Sequence, residues 1–190
     1  MTLACATRAE ERVARRAGLR SALIGIGGVN GVPDGPAVSY GLAGGLEGRR
    51  RGTVLDAVRV VDERGATLWE GEGLGVPGAV RGTLLALDRI VDDPVERRRL
   101  HQQTGADAVD METALLARRG TLRGALRVVA DTPERPLGGA AGAVRPDGRY
   151  DWPGLVRAAL RSPRAFTRTA ADGKRALGAL ATATQRWADA

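Results

Sequence analysis

The chain has 190 residues, 43% of them apolar and 27% charged, with a formal charge of +7. That length suits one domain, residues 1–190, with one core, and the composition excludes a disordered chain. Cys5 is the only cysteine, which excludes an intrachain disulfide and a multi-cysteine zinc site.

The positive charge raises nucleic-acid binding as a function class, because Lys and Arg neutralise phosphates irrespective of sequence. Two features argue against it. The basic residues are spread along every segment, and aromatics are only 3% of the chain, which leaves few platforms for stacking bases. No nucleic-acid partner is expected. No apolar run approaches the ~20 residues of a membrane span, and Arg8, Glu10, Glu11 and Arg12 interrupt what would otherwise be a secretory signal. The expectation is a cytoplasmic protein.

In chain order, the apolar run Thr2–Ala6 predicts a strand, and the spacing of Val13, Ala14 and Ala17 predicts a helix over Ala9–Ala17. Ser21–Gly28 reads as a strand, Val29–Pro36 as a turn-rich loop, and Ala37–Leu46 as a strand with a Gly-rich end. Three further strands follow, at Thr53–Val61, Ala66–Glu70 and Thr83–Ile90. Asp93 then offers an N-cap, Pro94 a preset first helical position and Glu96 a capping-box acid, so a helix should run to about Thr104 and stop at Gly105. Beyond it, Ala106–Met111 is expected as a strand, Glu112–Arg118 as a helix and Gly124–Ala130 as a strand ending at Asp131. A loop over Pro133–Gly148, a helix from Trp152-Pro153 to Ser162, and an amphipathic helix over Ala165–Ala190 with a break at Gly173 complete the reading. The alternation of strands and helices implies an α/β fold with a central mixed, largely parallel sheet flanked by helices.

Three segments place Gly, Glu or Asp at strand ends: SYGLAGGL at Ser39–Leu46, TGADAVDMET at Thr104–Thr113 and LRVVADT at Leu126–Thr132. Ligands of open α/β sheets bind at the carboxyl ends of strands, so Gly41–Gly45, Met111–Glu112 and Asp131 are expected to converge on one crevice. By themselves these residues have plainer readings. Asp131 suits a turn, Glu112 a helix surface, and Glu10 and Glu11 the first turn of a helix, where acids meet its dipole favourably. Arg127 in a buried strand either works near a ligand or pairs with an acid such as Asp110. Arg49-Arg50-Arg51 reads as a solvated edge, and His101 as solvent-facing on a polar helix.

The order and spacing of the three segments resemble the superfamily of purine nucleoside phosphorylases and methylthioadenosine/S-adenosylhomocysteine nucleosidases, from the first strand to about Asp131. The wording of VDME with RVVAD is most similar to the hopanoid-associated phosphorylase subgroup, which releases adenine from a 5′-alkylated adenosine. The resemblance implies a nucleoside phosphorylase-like domain that cleaves the N-glycosidic bond of a purine nucleoside, by water or phosphate. It makes Asp131 the acid for the leaving base, Glu112 the acceptor for ribose hydroxyls with Met111 packed on the sugar, and Glu10, or Glu11 in its place, the assistant to water. It puts Arg127 near the water or phosphate site and lets the backbone of Gly41, Ala43 and Gly44 approach the ligand. A homodimer is implied, and no metal or organic cofactor. The sequence departs from the family pattern in three places. Only Val29–Pro36 join the second and third strands, Leu42 and Ala43 stand where many phosphorylases offer Ser or Thr to phosphate, and Ala130 replaces the frequent serine before the acid.

Overall fold

A computed structural model of the chain describes residues 1–135, 145–149, 151 and 163–190. The expected helix over Trp152–Ser162 and most of the Pro133–Gly148 loop lie outside the described residues. The elements are β1 (Thr2–Cys5), α1 (Arg8–Arg16), β2 (Ser21–Leu23), a 3-10 turn at Ile26–Gly28, β3 (Ala37–Gly45), β4 (Val54–Val61), β5 (Thr67–Glu70), β6 (Val80–Ala86), α2 (Pro94–Thr104), β7 (Ala108–Asp110), α3 (Thr113–Arg118), β8 (Leu122–Asp131) and α4 (Pro163–Ala188).

The strands form one mixed sheet that closes on itself. β3 pairs with β8, β8 with β4, β4 with β6, β6 with β7, and β7 returns to β3. β1 and β2 extend the sheet beyond β3, and β5 hangs on the edge of β4. The pairs β1–β2, β1–β3, β3–β8, β4–β6 and β6–β7 are parallel. The unit β7–α3–β8 is different: β7 runs antiparallel to β3 and β8 parallel to it, so α3 serves as a corner rather than a parallel crossover.

Closure explains the buried strands. β8 is flanked on both edges, and Leu122, Ala125, Leu126, Val128 and Val129 are all buried. Each fully buried leucine or valine contributes about 1.5–3 kcal/mol over its exposed state. α4 covers the β3 and β8 side through Ala176, Leu180 and Ala183, which recur at helical spacing. The Tyr40 hydroxyl pins it by a 2.6 Å hydrogen bond to Thr184 Oγ1. The break expected at Gly173 does not occur, because the helix is docked on both sides of that position.

Several boundaries move for identifiable reasons. The second strand stops at Leu23 rather than Gly28, because Gly25, Gly27 and Gly28 all take positive φ and bend the chain into the 3-10 turn. β2 and β3 both pair with β1 and not with each other, so the crossover spans residues 24–36 and passes over β1. That length meets the dozen or so residues a parallel crossover needs. β6 lies at Val80–Ala86, earlier than Thr83–Ile90, since it follows β4 in register from Leu55↔Val80. Arg49 and Arg51 form ion pairs with Asp107 and Asp172 rather than standing as a solvated edge. His101 is half-buried, its Nδ1 2.8 Å from the Ala106 carbonyl just beyond α2.

The start and stop of α2 follow the sequence closely. The Asp93 side chain accepts from the Val95 amide, Pro94 sits in the first turn, and Gly105 closes the helix in the left-handed conformation. Glu96 makes no capping box and instead pairs with Arg89.

Candidate active site

A cleft of about 260 Å³ opens where β3, β7 and β8 end. Ala43 and Gly44 of β3, Met111 and Glu112 after β7, Asp131 at the end of β8 and Arg97 of α2 all line it. Two irregularities shape it. The register of β3 against β8 slips, Ala43 facing Val129 and Gly44 facing Asp131, so Ala130 is bulged out; bulges re-aim the side chains beside them. β7 is only three residues long, so Met111 and Glu112 leave the sheet there.

Behind the cleft lies a buried charge cluster. The Arg127 guanidinium, 1% exposed, forms an ion pair with Asp110, donates to Ser39 Oγ at 2.6 Å and to the Leu42 carbonyl at 3.2 Å, and reaches Glu112 Oε2 at 3.4 Å. Thr113 Oγ1 adds a 2.7 Å bond to Ser39 and a further bond to Asp110. Of the two sequence alternatives for Arg127, pairing with Asp110 is the observed contact, and Arg127 also holds Glu112 from behind. Asp110 Oδ1 and Arg127 Nε are buried atoms without a partner among the described residues, and Asp110 lines the cleft.

Glu10 joins this cluster from α1. Thr7 caps the helix, and Glu10 completes a capping box by accepting from the Thr7 amide at 2.8 Å. Its other oxygen accepts from the Leu42 amide of β3, also at 2.8 Å. Glu11 turns outward to Arg15 at 2.7 Å, so Glu10 is the acid of the pair that faces the site. Gly41 makes the approach feasible: its φ is +148°, and a Cβ there would overlap the Glu10 carboxylate. Glu10, Gly41 and Arg127 thus form a supporting layer. Ala43, Gly44, Met111, Glu112 and Asp131 form the wall of the cleft.

Three acids, Glu10, Asp110 and Glu112, surround the Arg127 guanidinium. Burial pushes the Glu10 and Glu112 carboxyls up against the pull of Arg127, and Glu112 rises from 4.5 to about 7. Between those two values the folded protein binds more protons than the unfolded chain, so this group makes stability fall as pH rises from about 4.5 to 7. Glu112→Gln is neutral at every pH. It should flatten that slope in thermal melts and exceed the wild type in melting temperature at pH 8; an unchanged slope would contradict the assignment.

Asp131 is 6% exposed and forms an ion pair with Arg97. Burial pushes its carboxyl up, and Arg97 pulls against that rise. Sequence reasoning missed Arg97, because it sits in the run Arg97-Arg98-Arg99, whose other two members are exposed. A usable signal was its helical spacing to buried Leu100 and half-buried Thr104. Among the described residues no group of three or more His, Cys, Asp or Glu is arranged to hold a metal ion, and no helix is long and apolar enough to cross a membrane.

The sequence model of the Phosphorylase superfamily matches residues 58–143, the stretch that contains Met111, Glu112, Arg127 and Asp131. No curated protein matches the chain. Solved structures with the same fold include futalosine hydrolase of Helicobacter pylori, 14% identical with a TM-score of 0.59, covering 99% of this chain and 93% of that one. The 5′-methylthioadenosine/S-adenosylhomocysteine nucleosidase of the same organism is 14% identical, with a TM-score of 0.57 over 99% of this chain and 94% of that one. The corresponding nucleosidase of Neisseria meningitidis, solved with methylthio-immucillin-A, is 18% identical, with a TM-score of 0.54 over 95% and 97%. The chain therefore has the α/β fold of these nucleosidases.

Proposed function

We propose that the protein is an enzyme that cleaves the N-glycosidic bond of a purine nucleoside, of the 5′-modified adenosine type. The observation that carries this reading is that Met111 and Glu112, after β7, and Asp131, at the end of β8, line one cleft. Cleaving a ribosyl bond builds positive charge on the sugar and negative charge on the departing base. A site for it needs acceptors for sugar hydroxyls and an acid for the base. Glu112 and the unpartnered Asp110 Oδ1 supply acceptors, and Asp131, raised by burial, supplies the acid. Glu10 and Arg127 hold the sugar end from behind. The fold shared with two methylthioadenosine/S-adenosylhomocysteine nucleosidases and a futalosine hydrolase supports the same chemistry.

The reading includes a homodimer, a place near the hopanoid-associated phosphorylase subgroup, and water or phosphate as acceptor. A second reading, a nucleoside-binding or scaffold protein without turnover, draws on one observation: both Glu10 oxygens are engaged by backbone amides, which leaves less basicity for activating water. Base release from methylthioadenosine, S-adenosylhomocysteine, adenosine, inosine and a 5′-alkyl adenosine, each with and without phosphate, separates these readings. Release is the expected result, and its dependence on phosphate names the acceptor. Thermal stabilisation by a nucleoside without release would favour the scaffold.

A further inference from the structure

Arg97 is 1% exposed and lies against the cleft. Its side chain runs from α2 to the strand ends and uses three donors on three different segments. Nε donates to the Val91 carbonyl at 2.8 Å, Nη1 to the Gly45 carbonyl at 3.1 Å, and Nη2 to Asp131 Oδ2. Gly44 makes room, since a Cβ there would stand 3.3 Å from Nη2. A guanidinium fixed this way cannot swing to solvent, so its charge stays on Asp131 through any reaction cycle. Buried charges are costly unless paired, and here both partners lie at the base end of the proposed site. The charged groups facing Asp131 are Arg97 of α2 and, more distantly, Asp92 of the segment before α2.

We propose that Arg97 is a positioning residue for base departure: it fixes the Asp131 carboxyl and stabilises the negative charge that Asp131 acquires when its proton passes to the leaving purine. This inference rests on the function proposed above. In the step, the bond from the sugar carbon to the base nitrogen breaks and its electron pair goes to the base. The proton of the Asp131 carboxyl moves to the imidazole nitrogen of the base, leaving a carboxylate beside Arg97. Water or phosphate oxygen bonds to the sugar carbon. With water as acceptor, the proton it sheds balances the one that solvent returns to Asp131. Arg97 touches none of the reacting atoms and acts through Asp131 alone.

The test compares wild type with Arg97→Met and Arg97→Lys on two substrates: a purine nucleoside, and p-nitrophenyl ribofuranoside, whose phenolate departs without needing a proton. The expected result for Arg97→Met is a loss of kcat on the nucleoside on the order of 100-fold, with KM nearly unchanged. The p-nitrophenyl substrate should lose no more than about threefold, and Arg97→Lys should recover about tenfold on the nucleoside. Equal losses on both substrates, or an unchanged kcat on the nucleoside, would overturn the proposal. A carboxyl 13C titration of Asp131 reads the same contact without turnover. Its midpoint should move up in Arg97→Met, and an unmoved midpoint overturns Arg97's role. If the wild type released no base at all, the proposed function would fall, while the titration would still decide whether Arg97 governs Asp131.

Discussion

The Arg127→Met variant is expected to melt about 10 °C below the wild type at pH 8, from a loss of about 3–5 kcal/mol at roughly 2–4 °C per kcal/mol for a chain of this size. Methionine keeps much of the volume but removes the cation that faces Glu10, Asp110 and Glu112. The Asp110 carboxylate loses its ion-pair partner, and the Leu42 carbonyl and Ser39 each lose a donor. Breaking a buried pair costs more than the pair contributes, since the remaining charge is left without compensation. The deficit should shrink at pH 5.5, where Glu112, raised to about 7, is largely protonated. Adding Asp110→Asn should restore part of the loss, a non-additivity expected of contacting groups. A melting temperature within about 2 °C of wild type at pH 8 would mean that the cluster is not the electrostatic unit described.

Gly41→Ala should be nearly as damaging, by about 2–4 kcal/mol, although it adds one methyl group. The backbone at φ +148° disfavours any side chain, and the new Cβ would overlap the Glu10 carboxylate and approach Arg127 Nη1 to 3.0 Å. Glu10 would have to withdraw from the Leu42 amide, which orphans a buried carboxylate and opens the supporting layer of the site. Pairing Gly41→Ala with Glu10→Ala relieves the overlap, so the double variant should lose less than the sum of the singles. Additive losses, measured by urea unfolding, would show that backbone strain alone governs this position.

Much of the fold was legible because local chemistry fixes it. Asp93, Pro94 and Gly105 bound α2 as a side-chain cap, a fixed φ and a left-handed backbone dictate, and β1, β3, β4 and β8 follow runs of apolar residues. The wall of the cleft was legible too, as Met111, Glu112, Asp131, Ala43 and Gly44 sit at strand ends. What local chemistry cannot show is pairing at a distance. The closure of the sheet through β7 depends on two pairs, Gly44↔Val109 and Gly45↔Ala108, to which no periodicity points. The burial of Arg97 depends on where α2 docks over Gly44 and Gly45, so Arg97 did not stand out among the candidate residues. Glu10 was legible as a first-turn residue of a helix, yet its bond to the Leu42 amide requires the fold to be known.

The most direct test of the proposed chemistry is base release by Asp131→Asn against wild type, on the nucleoside the wild type cleaves best. Asparagine keeps the shape and still accepts from Arg97, but it carries no proton to give to the leaving base. A fall of about 10²–10⁴-fold in kcat, with the melting temperature retained, is the predicted result. An Asp131→Asn enzyme that releases the base at the wild-type rate would contradict the assignment of Asp131 as the acid, and with it the account of this cleft.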